Sequence, residues 1–335
     1  MGTARSVPYN FTFDRRRDQA RMELIRGLQN LRERHRGCVV TIGAYDGIHL
    51  GHRALIARVL EHGARLARPT LMVTFEPMPR EYLVPHDPPA RLTSWRERWR
   101  LIERTGLDGV WLLRFGERLR CMTGEEFAEL LADELRAKVV VVGHDFRFGR
   151  NGEANAASLR EAGTRLGFEV DVVPPVSVAG ERVSSSAIRD ALARGELERA
   201  RLLLGRPYSM VGRVVRGARL GRELGYATAN LRLERRRTPL SGVFAVRVHR
   251  VAAQALPGVA SLGTRPTVNG VEPLLEAHIF DFNGDLYGRE IEVEFVARLR
   301  DEERFATLDE LVEQMHRDAH AARRILQDVK ETASG

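Results

Sequence analysis

Strand–helix alternation over the first half of the chain, and period-2 segments over the second, predict a parallel α/β domain followed by an antiparallel barrel or sandwich. Length agrees, because 335 residues accommodate about two domains of roughly 100–200 residues each. A hydrophobic content of 43% supplies two cores. No apolar run approaches the ~18 residues of a membrane span, so a helical membrane protein is not expected.

Taken in order, Val39–Ile42, Thr70–Phe75, Val110–Leu113, Val139–Val142 and Glu169–Val173 are predicted strands, Val-rich as buried parallel strands are. Amphipathic stretches separate them. In Gly51–Leu66, Leu55, Ile56, Val59 and Leu60 form one apolar stripe. Ligands of such sheets sit beyond the carboxyl ends of the strands. Three unusual peptides, Gly43–His52, Glu76–Glu81 and Gly143–Gly149, follow directly after predicted strands. Ser185–Leu204 reads as one or two short connecting helices. Gly212–Val215, Gly242–His249, Gly258–Leu262, Leu275–Phe282 and Glu290–Leu299 are the predicted antiparallel strands. A last helix, Leu308 to about Val329, carries Leu308, Leu311, Val312, Met315, Ile325 and Leu326 on its apolar side. The expected division is a disordered extension at 1–21, an α/β domain at 22–186, a helical connector at 187–205 and a second domain at 206–330.

Lys and Arg total 53 against 45 Asp and Glu, a net charge of +8. Such a balance favours anionic partners. Lys138 and Lys330 are the only lysines, however, and the arginines are scattered rather than gathered into a stripe. Neither a nucleic acid nor a membrane is therefore an expected partner. Two cysteines, Cys38 and Cys121, exclude a disulfide framework and point to a reducing compartment. The first twenty residues have no apolar core between their arginines and do not read as a secretory signal. A cytoplasmic location is expected.

The peptide Thr41-Ile42-Gly43-Ala44-Tyr45-Asp46-Gly47-Ile48-His49-Leu50-Gly51-His52 leaves a strand and enters a helix. Gly43 and Gly47 around Asp46 allow a tight turn with backbone close to a ligand. His49 and His52, three apart, share a face on the first helical turn. Histidine donors at a helix N-terminus make a cradle for a triphosphate; two solvated histidines are the plainer alternative. Three further peptides accompany the motif: Phe75-Glu76-Pro77-Met78-Pro79-Arg80-Glu81, Gly143-His144-Asp145-Phe146-Arg147-Phe148-Gly149 and Ser184-Ser185-Ser186-Ala187-Ile188-Arg189. In this order they resemble the adenylyltransferase module of the prokaryotic bifunctional riboflavin kinase/FAD synthetases, and the resemblance extends from Met22 to about Gln327. It implies a nucleotidyltransferase-type doubly wound sheet that transfers AMP from ATP to FMN.

The nucleophile of that reaction, a phosphate oxygen of FMN, is already ionised at neutral pH, so no strong base is required. Positioning, Mg²⁺ and cations that offset charge on the leaving pyrophosphate are required instead. The resemblance implies ATP contacts at Gly43, Tyr45, Asp46, Gly47, His49 and His52, with both histidines acting on the reacting phosphates. It further implies a clamp by Ser185 and Arg189 at the start of another helix. Taken alone, that pair reads as an N-cap and a surface charge. Asp145, Phe146, Arg147 and Phe148 offer an acid and two aromatics to a flavin ring, or two core phenylalanines at a strand end.

In the second half, Gly205-Arg206-Pro207-Tyr208 precedes Gly212-Arg213-Val214-Val215-Arg216-Gly217 and Gly221-Arg222-Glu223-Leu224-Gly225-Tyr226-Ala227-Thr228-Ala229-Asn230-Leu231. Gly212, Gly217, Gly221 and Gly225 permit a phosphate-cradling loop, although a hairpin with polar turn residues has the same look. Thr228 and Asn230 offer hard oxygen ligands suited to Mg²⁺. The stretch is similar to the PTAN-bearing loop of riboflavin kinase, with Ala227 in place of the proline. Ser261–Thr267, Leu275–Phe282 and Leu286–Arg289 complete the resemblance, which implies a six-stranded barrel with a C-terminal helix. Here the nucleophile is the riboflavin 5′-hydroxyl, which does need a proton acceptor, and Glu276 is the candidate base.

The expected activity is bifunctional: riboflavin to FMN, then FMN to FAD, with ATP, riboflavin and FMN as small-molecule partners and Mg²⁺ as cofactor. A weak homo-oligomer is left open. One rival is a monofunctional FMN adenylyltransferase whose second module only binds flavin, which separate FMN and FAD assays distinguish. The other is a basic nucleic-acid-associated protein, which salt-dependent retention on DNA would reveal.

Overall fold

The structure, a computed structural model, describes residues 22–216, 226–267 and 270–332. The expectation of disorder at 1–21 and three of the expected loop glycines, Gly217, Gly221 and Gly225, lie outside the described residues. The chain divides into two compact units that interleave along the sequence. One holds the chain up to Gly43 with Leu55–Glu76 and Arg100–Val173; the other holds Ala44–Ala54, Pro77–Trp99 and everything from Pro174 onward.

The strands of the first unit are β1 (Glu23–Arg26), β2 (Val39–Ile42), β3 (Thr70–Phe75), β4 (Gly109–Leu113), β5 (Val139–Gly143), the two-residue β6 (Arg147–Phe148) and β7 (Ala154–Asn155), and β8 (Glu169–Val173). Six of them form one parallel sheet in the order β1-β4-β3-β2-β5-β8. The order reverses at β2: β3 and β4 follow on one side, β5 and β8 on the other. Open α/β sheets bind ligands at such a switch point, beyond the strand ends. Gly43 and Gly143 leave the sheet there, from the neighbouring strands β2 and β5. β2, β3 and β4 are buried along their full length, which explains their unbroken apolar runs. Ile25, Val40, Val73, Trp111 and Val140 share one core with Phe127 and Leu131. The strand β1 was not expected, because a four-residue edge strand gives too short a pattern. The antiparallel pair β6–β7 was likewise too short to read.

In the second unit, the two-residue strands β9 (Ser177–Val178) and β10 (Glu181–Arg182) pair, Ser184 caps the helix Ser185–Ala193 by accepting from the Ala187 amide, and the helix Leu197–Leu204 follows. The expected connector is therefore two helices. β11 (Ser209–Val215), β12 (Thr228–Leu233), β13 (Gly242–His249), β14 (Leu256–Thr267), β15 (Gly270–Ile279) and β16 (Glu290–Arg300) close into a barrel ordered β11-β12-β15-β14-β13-β16. Two details depart from expectation. Thr228–Leu233, read as part of a loop, is a barrel strand, and the strand expected to reach Phe282 stops at Ile279. One core joins the connector helices to the barrel: Ile188, Leu203, Tyr208, Met210, Leu231, Phe244 and Leu275, with Leu92 among them. The terminal helix, Leu308–Thr332, packs Ala319, Ala322 and Leu326 against Ala245 and Phe280. Leu308, expected on the apolar side, is exposed. Small residues let this helix approach the barrel closely, so its buried face is less apolar in sequence than its stripe suggested.

Candidate active sites

The first site grows from the loop between Ala44 and helix α1 (Leu50–Leu66), within the second unit. Its backbone is strained: Tyr45, Gly47 and Ile48 have φ of 52°, 89° and 41°. Glycine adopts such angles freely, and a Cβ on Gly47 would lie 2.8 Å from Leu92 Cδ1. Tyrosine and isoleucine do not, at about 1–3 kcal/mol each. The surroundings hold them. Arg98 Nη1 donates to the Ala44 carbonyl at 2.6 Å, Ser185 Oγ to that of Asp46 at 3.0 Å, and Arg206 to those of Gly47 and Ile48 at 2.7 and 3.2 Å. Four carbonyls of the turn are thus engaged by side-chain donors, which turns their negative ends away from any ligand of the turn's other face.

Asp46 locks the turn from inside. Its buried carboxylate accepts from the Leu92 and Thr93 amides at 3.0 and 2.9 Å, from Thr93 Oγ1 at 3.1 Å and from Arg189 Nη2 at 2.6 Å. Gly47 donates its amide to Thr93 Oγ1 at 3.0 Å. Arg189 spends its Nε on the Ala90 carbonyl, 2.6 Å away. Asp46, Ser185 and Arg189, expected at the phosphates, here brace the turn. Tyr45 is buried, with its ring 4.9 Å from that of His52.

His49 and His52 stack with centroids 3.6 Å apart and 16° between planes. The His52 amide donates to His49 Nδ1 at 3.3 Å, so a neutral His49 carries its proton on Nε2. Burial, and then the positive charges of His49, Arg98, Arg189 and Arg206, hold the His52 pKa well below the usual 6.5. Under that field the His52 imidazole stays neutral at pH 7. The two stacked rings offer N–H donors, and the arginines supply cationic charge.

Sequence reasoning missed Thr93, Arg98, Arg206 and a fourth group, Glu97. One signal was available: Ser94 and Glu97 form a capping box at the start of helix α3 (Trp95–Glu103). Glu97 does more than cap. Its Oε1 accepts the Val211 amide at 2.6 Å, and its Oε2 pairs with Arg235, whose side chain is wholly buried. Arg235 also reaches Tyr208 Oη at 3.1 Å, and Tyr208 donates to the Leu92 carbonyl at 3.1 Å. Burial pushes the Tyr208 phenol up.

In the first unit, Phe146 and Phe148 stack at 5.2 Å and 16°, half-buried against the sheet's core, while Asp145 and Arg147 are exposed. Both readings of this peptide are compatible with that placement. One ring face rests on the core.

The second site lies on the barrel. Register sets Asn230 of β12 opposite Glu276 of β15, and Thr228 opposite His278. Ala229, Leu231, Leu275 and Ala277 join the barrel's core, so alternation puts Thr228, Asn230, Glu276 and His278 together on the other face. Opposed residues have Cβ atoms about 4.5–5.5 Å apart. A cavity of about 510 Å³ is lined by Thr228, Asn230, Ala277, Ile279, Asp285 and Tyr287 among others, and Glu276 is not one of its lining residues. His278 Nδ1 donates to the Ala227 carbonyl at 3.0 Å. Gly212 lies within β11, opposite Leu233, where a Cβ would come 2.8 Å from that of Leu231. Close strand packing explains this glycine. Among the described residues no group of three or more His, Cys, Asp or Glu side chains could hold a metal ion. Thr228 and Asn230 are oxygen donors of the kind Mg²⁺ accepts alongside substrate phosphates, and they fit that role.

One stretch of the chain thus carries a strained turn with stacked histidines, and another a barrel strand pair with a carboxylate opposite an amide. Residues 31–187 match the FAD synthetase family model and residues 204–326 the riboflavin kinase model. The chain is 44% identical over 304 residues to the bifunctional riboflavin kinase/FMN adenylyltransferase of Escherichia coli K12, covering 90% of this chain and 97% of that one. Its counterpart from Pseudomonas fluorescens is 45% identical over the same shares, and that from Haemophilus influenzae 39% over 90% and 98%. A crystal structure described as a macrolide-efflux protein from Streptococcus pneumoniae has a TM-score of 0.77 at 33% identity, covering 90% of this chain and 99% of that one. The chain belongs to the bifunctional riboflavin kinase/FMN adenylyltransferase family.

Proposed function

We propose that this chain phosphorylates riboflavin to FMN on the barrel and adenylylates FMN to FAD at the strained turn. The observation that carries the reading is the difference in what each site offers: a carboxylate opposite oxygen ligands at one, stacked imidazoles and arginines at the other. At the barrel, the riboflavin 5′-oxygen attacks the γ-phosphorus, Glu276 takes the hydroxyl proton, and ADP leaves. Thr228 and Asn230 would hold Mg²⁺, which offsets phosphate charge when bound. At the turn, an FMN phosphate oxygen attacks the α-phosphorus of ATP and the bond to the β-phosphate breaks, releasing pyrophosphate. His49 and the neutral His52 donate hydrogen bonds to the reacting phosphates, where removal of one preorganised donor typically costs about 10²–10³ in rate. Asp145, Phe146, Arg147 and Phe148 would receive the flavin.

Among the described residues no helix is long and apolar enough to cross a membrane. Incubation with riboflavin, ATP and Mg²⁺, followed by chromatography of the flavins over time, tests the reading. FMN should appear first and FAD after it. Accumulation of FAD from added FMN with no FMN formed from riboflavin would leave the monofunctional alternative.

A further inference from the structure

Arg206 belongs to the stretch that matches the riboflavin kinase model, yet both its hydrogen-bond acceptors lie in the turn of the FAD synthetase stretch. It is half-buried, and among the described residues it hydrogen-bonds no carboxylate. Its neighbour in the site, Arg189, is in the opposite condition, with its charge countered by Asp46 at 2.6 Å. A guanidinium with two parallel N–H groups spans adjacent carbonyls in a way an ammonium cannot. The two carbonyls it spans, those of Gly47 and Ile48, belong to residues at positive φ immediately before His49. Burial and the nearby Arg53 bring its pKa down to about 10, so it remains a cation at neutral pH, and its charge is among those that keep His52 neutral.

We propose that Arg206 is a positioning residue for adenylyl transfer: it props the Gly47–Ile48 turn so that His49 and His52 meet the triphosphate, and it adds positive charge to the site. The inference rests on the reading of the turn as the FAD-forming site. Its consequence runs against sequence order, because a residue of the kinase stretch then governs the other reaction. Riboflavin phosphorylation, on the far side of β12 from the barrel core, does not depend on it.

The test uses the full chain as R206Q and R206K, with FAD formation from FMN and FMN formation from riboflavin measured on each preparation. In R206Q, kcat/KM for ATP in FAD formation should fall about 10- to 100-fold, the scale of an ångström-sized misplacement, with FMN formation at the parental rate. R206K, which keeps the charge but loses the fork, should recover part of that loss, chiefly in the KM for ATP. His52, followed by NMR titration, should show a raised pKa in R206Q and a parental one in R206K. Parental FAD kinetics in R206Q, or equal loss of both activities, would overturn the proposal. If R206Q does not fold, parental FAD kinetics in R206K would overturn it. Should the parent itself make no FAD, the reading of the turn fails instead, and the His52 titration decides the electrostatic claim: an unchanged pKa in R206Q refutes it.

Discussion

The turn at Tyr45–His49 and the strand pair β12–β15 both present polar groups suited to phosphates, but they use the backbone in opposite ways. At the turn, three positive-φ residues among four are held because Arg98, Ser185 and Arg206 occupy its carbonyls and Asp46 anchors it to Leu92 and Thr93. On the barrel, ordinary extended strands suffice, since alternation and register already bring Thr228, Asn230 and Glu276 to one face. On the proposed assignment of the two reactions, the difference follows the nucleophiles. A phosphate monoester arrives ionised, so the turn has to present donors. A hydroxyl arrives protonated, so the barrel has to present an acceptor as well.

Breaking one side at a time sharpens that contrast. The largest effect is expected from Glu276→Gln, which keeps shape but cannot accept a proton. FMN formation should fall about 10²–10⁴-fold, while added FMN still becomes FAD; phosphorylation at the parental rate would remove Glu276 from the mechanism. Next comes the joint change of His49 and His52 to Ala. FAD formation should drop by at least the ~10²–10³ expected for one lost donor, with FMN formation retained. Equal loss of both activities in a folded protein would contradict separate sites.

A stability variant probes what the sites share. Arg235→Met strands the buried Glu97 carboxylate, and removing one partner of a buried pair costs about 3–5 kcal/mol. Urea melts should show that loss, with both activities disappearing together at lower denaturant; an unchanged midpoint would mean that Glu97 relaxes into water. The smallest effect concerns pH. His52 has a folded pKa well below its unfolded 6.5, so the unfolded state binds more protons as pH falls below that value. Stability is therefore whole above pH 6.5 and declines as pH falls towards the folded pKa. The decline should vanish in His52→Gln, as measured by melts between pH 7 and 5.

Much of the fold was legible because its signals are local. The five long runs of the parallel sheet and the helix of Gly51–Leu66 declared themselves by period. β12 did not, because Thr228 and Asn230 sit on its polar face and read as loop chemistry. The site's chemistry-bearing residues were likewise visible as motif peptides, whereas their bracing was not. Nothing within the sequence links Asp46 to Leu92 and Thr93, or Gly47 to Arg206, across separations of 46 to 159 residues. Only the folded chain brings those groups together. Asp46, Ser185 and Arg189, expected at the ligand, make hydrogen bonds that no local pattern announces: Asp46 with Leu92, Thr93 and Arg189, Ser185 with the Asp46 carbonyl, and Arg189 with the Ala90 carbonyl.

The separateness of the two sites is the central claim, and complementation tests it most directly. Glu276→Gln and the His49→Ala/His52→Ala double variant are each incubated with riboflavin, ATP and Mg²⁺, alone and then mixed in equal amounts. Alone, the first should form little of either product and the second should stop at FMN. Mixed, they should carry riboflavin through to FAD, because FMN released by one protein is the substrate of the other. A mixture that forms FMN but no FAD, although the Glu276→Gln protein is folded, would contradict the assignment of the two reactions to the barrel and the turn.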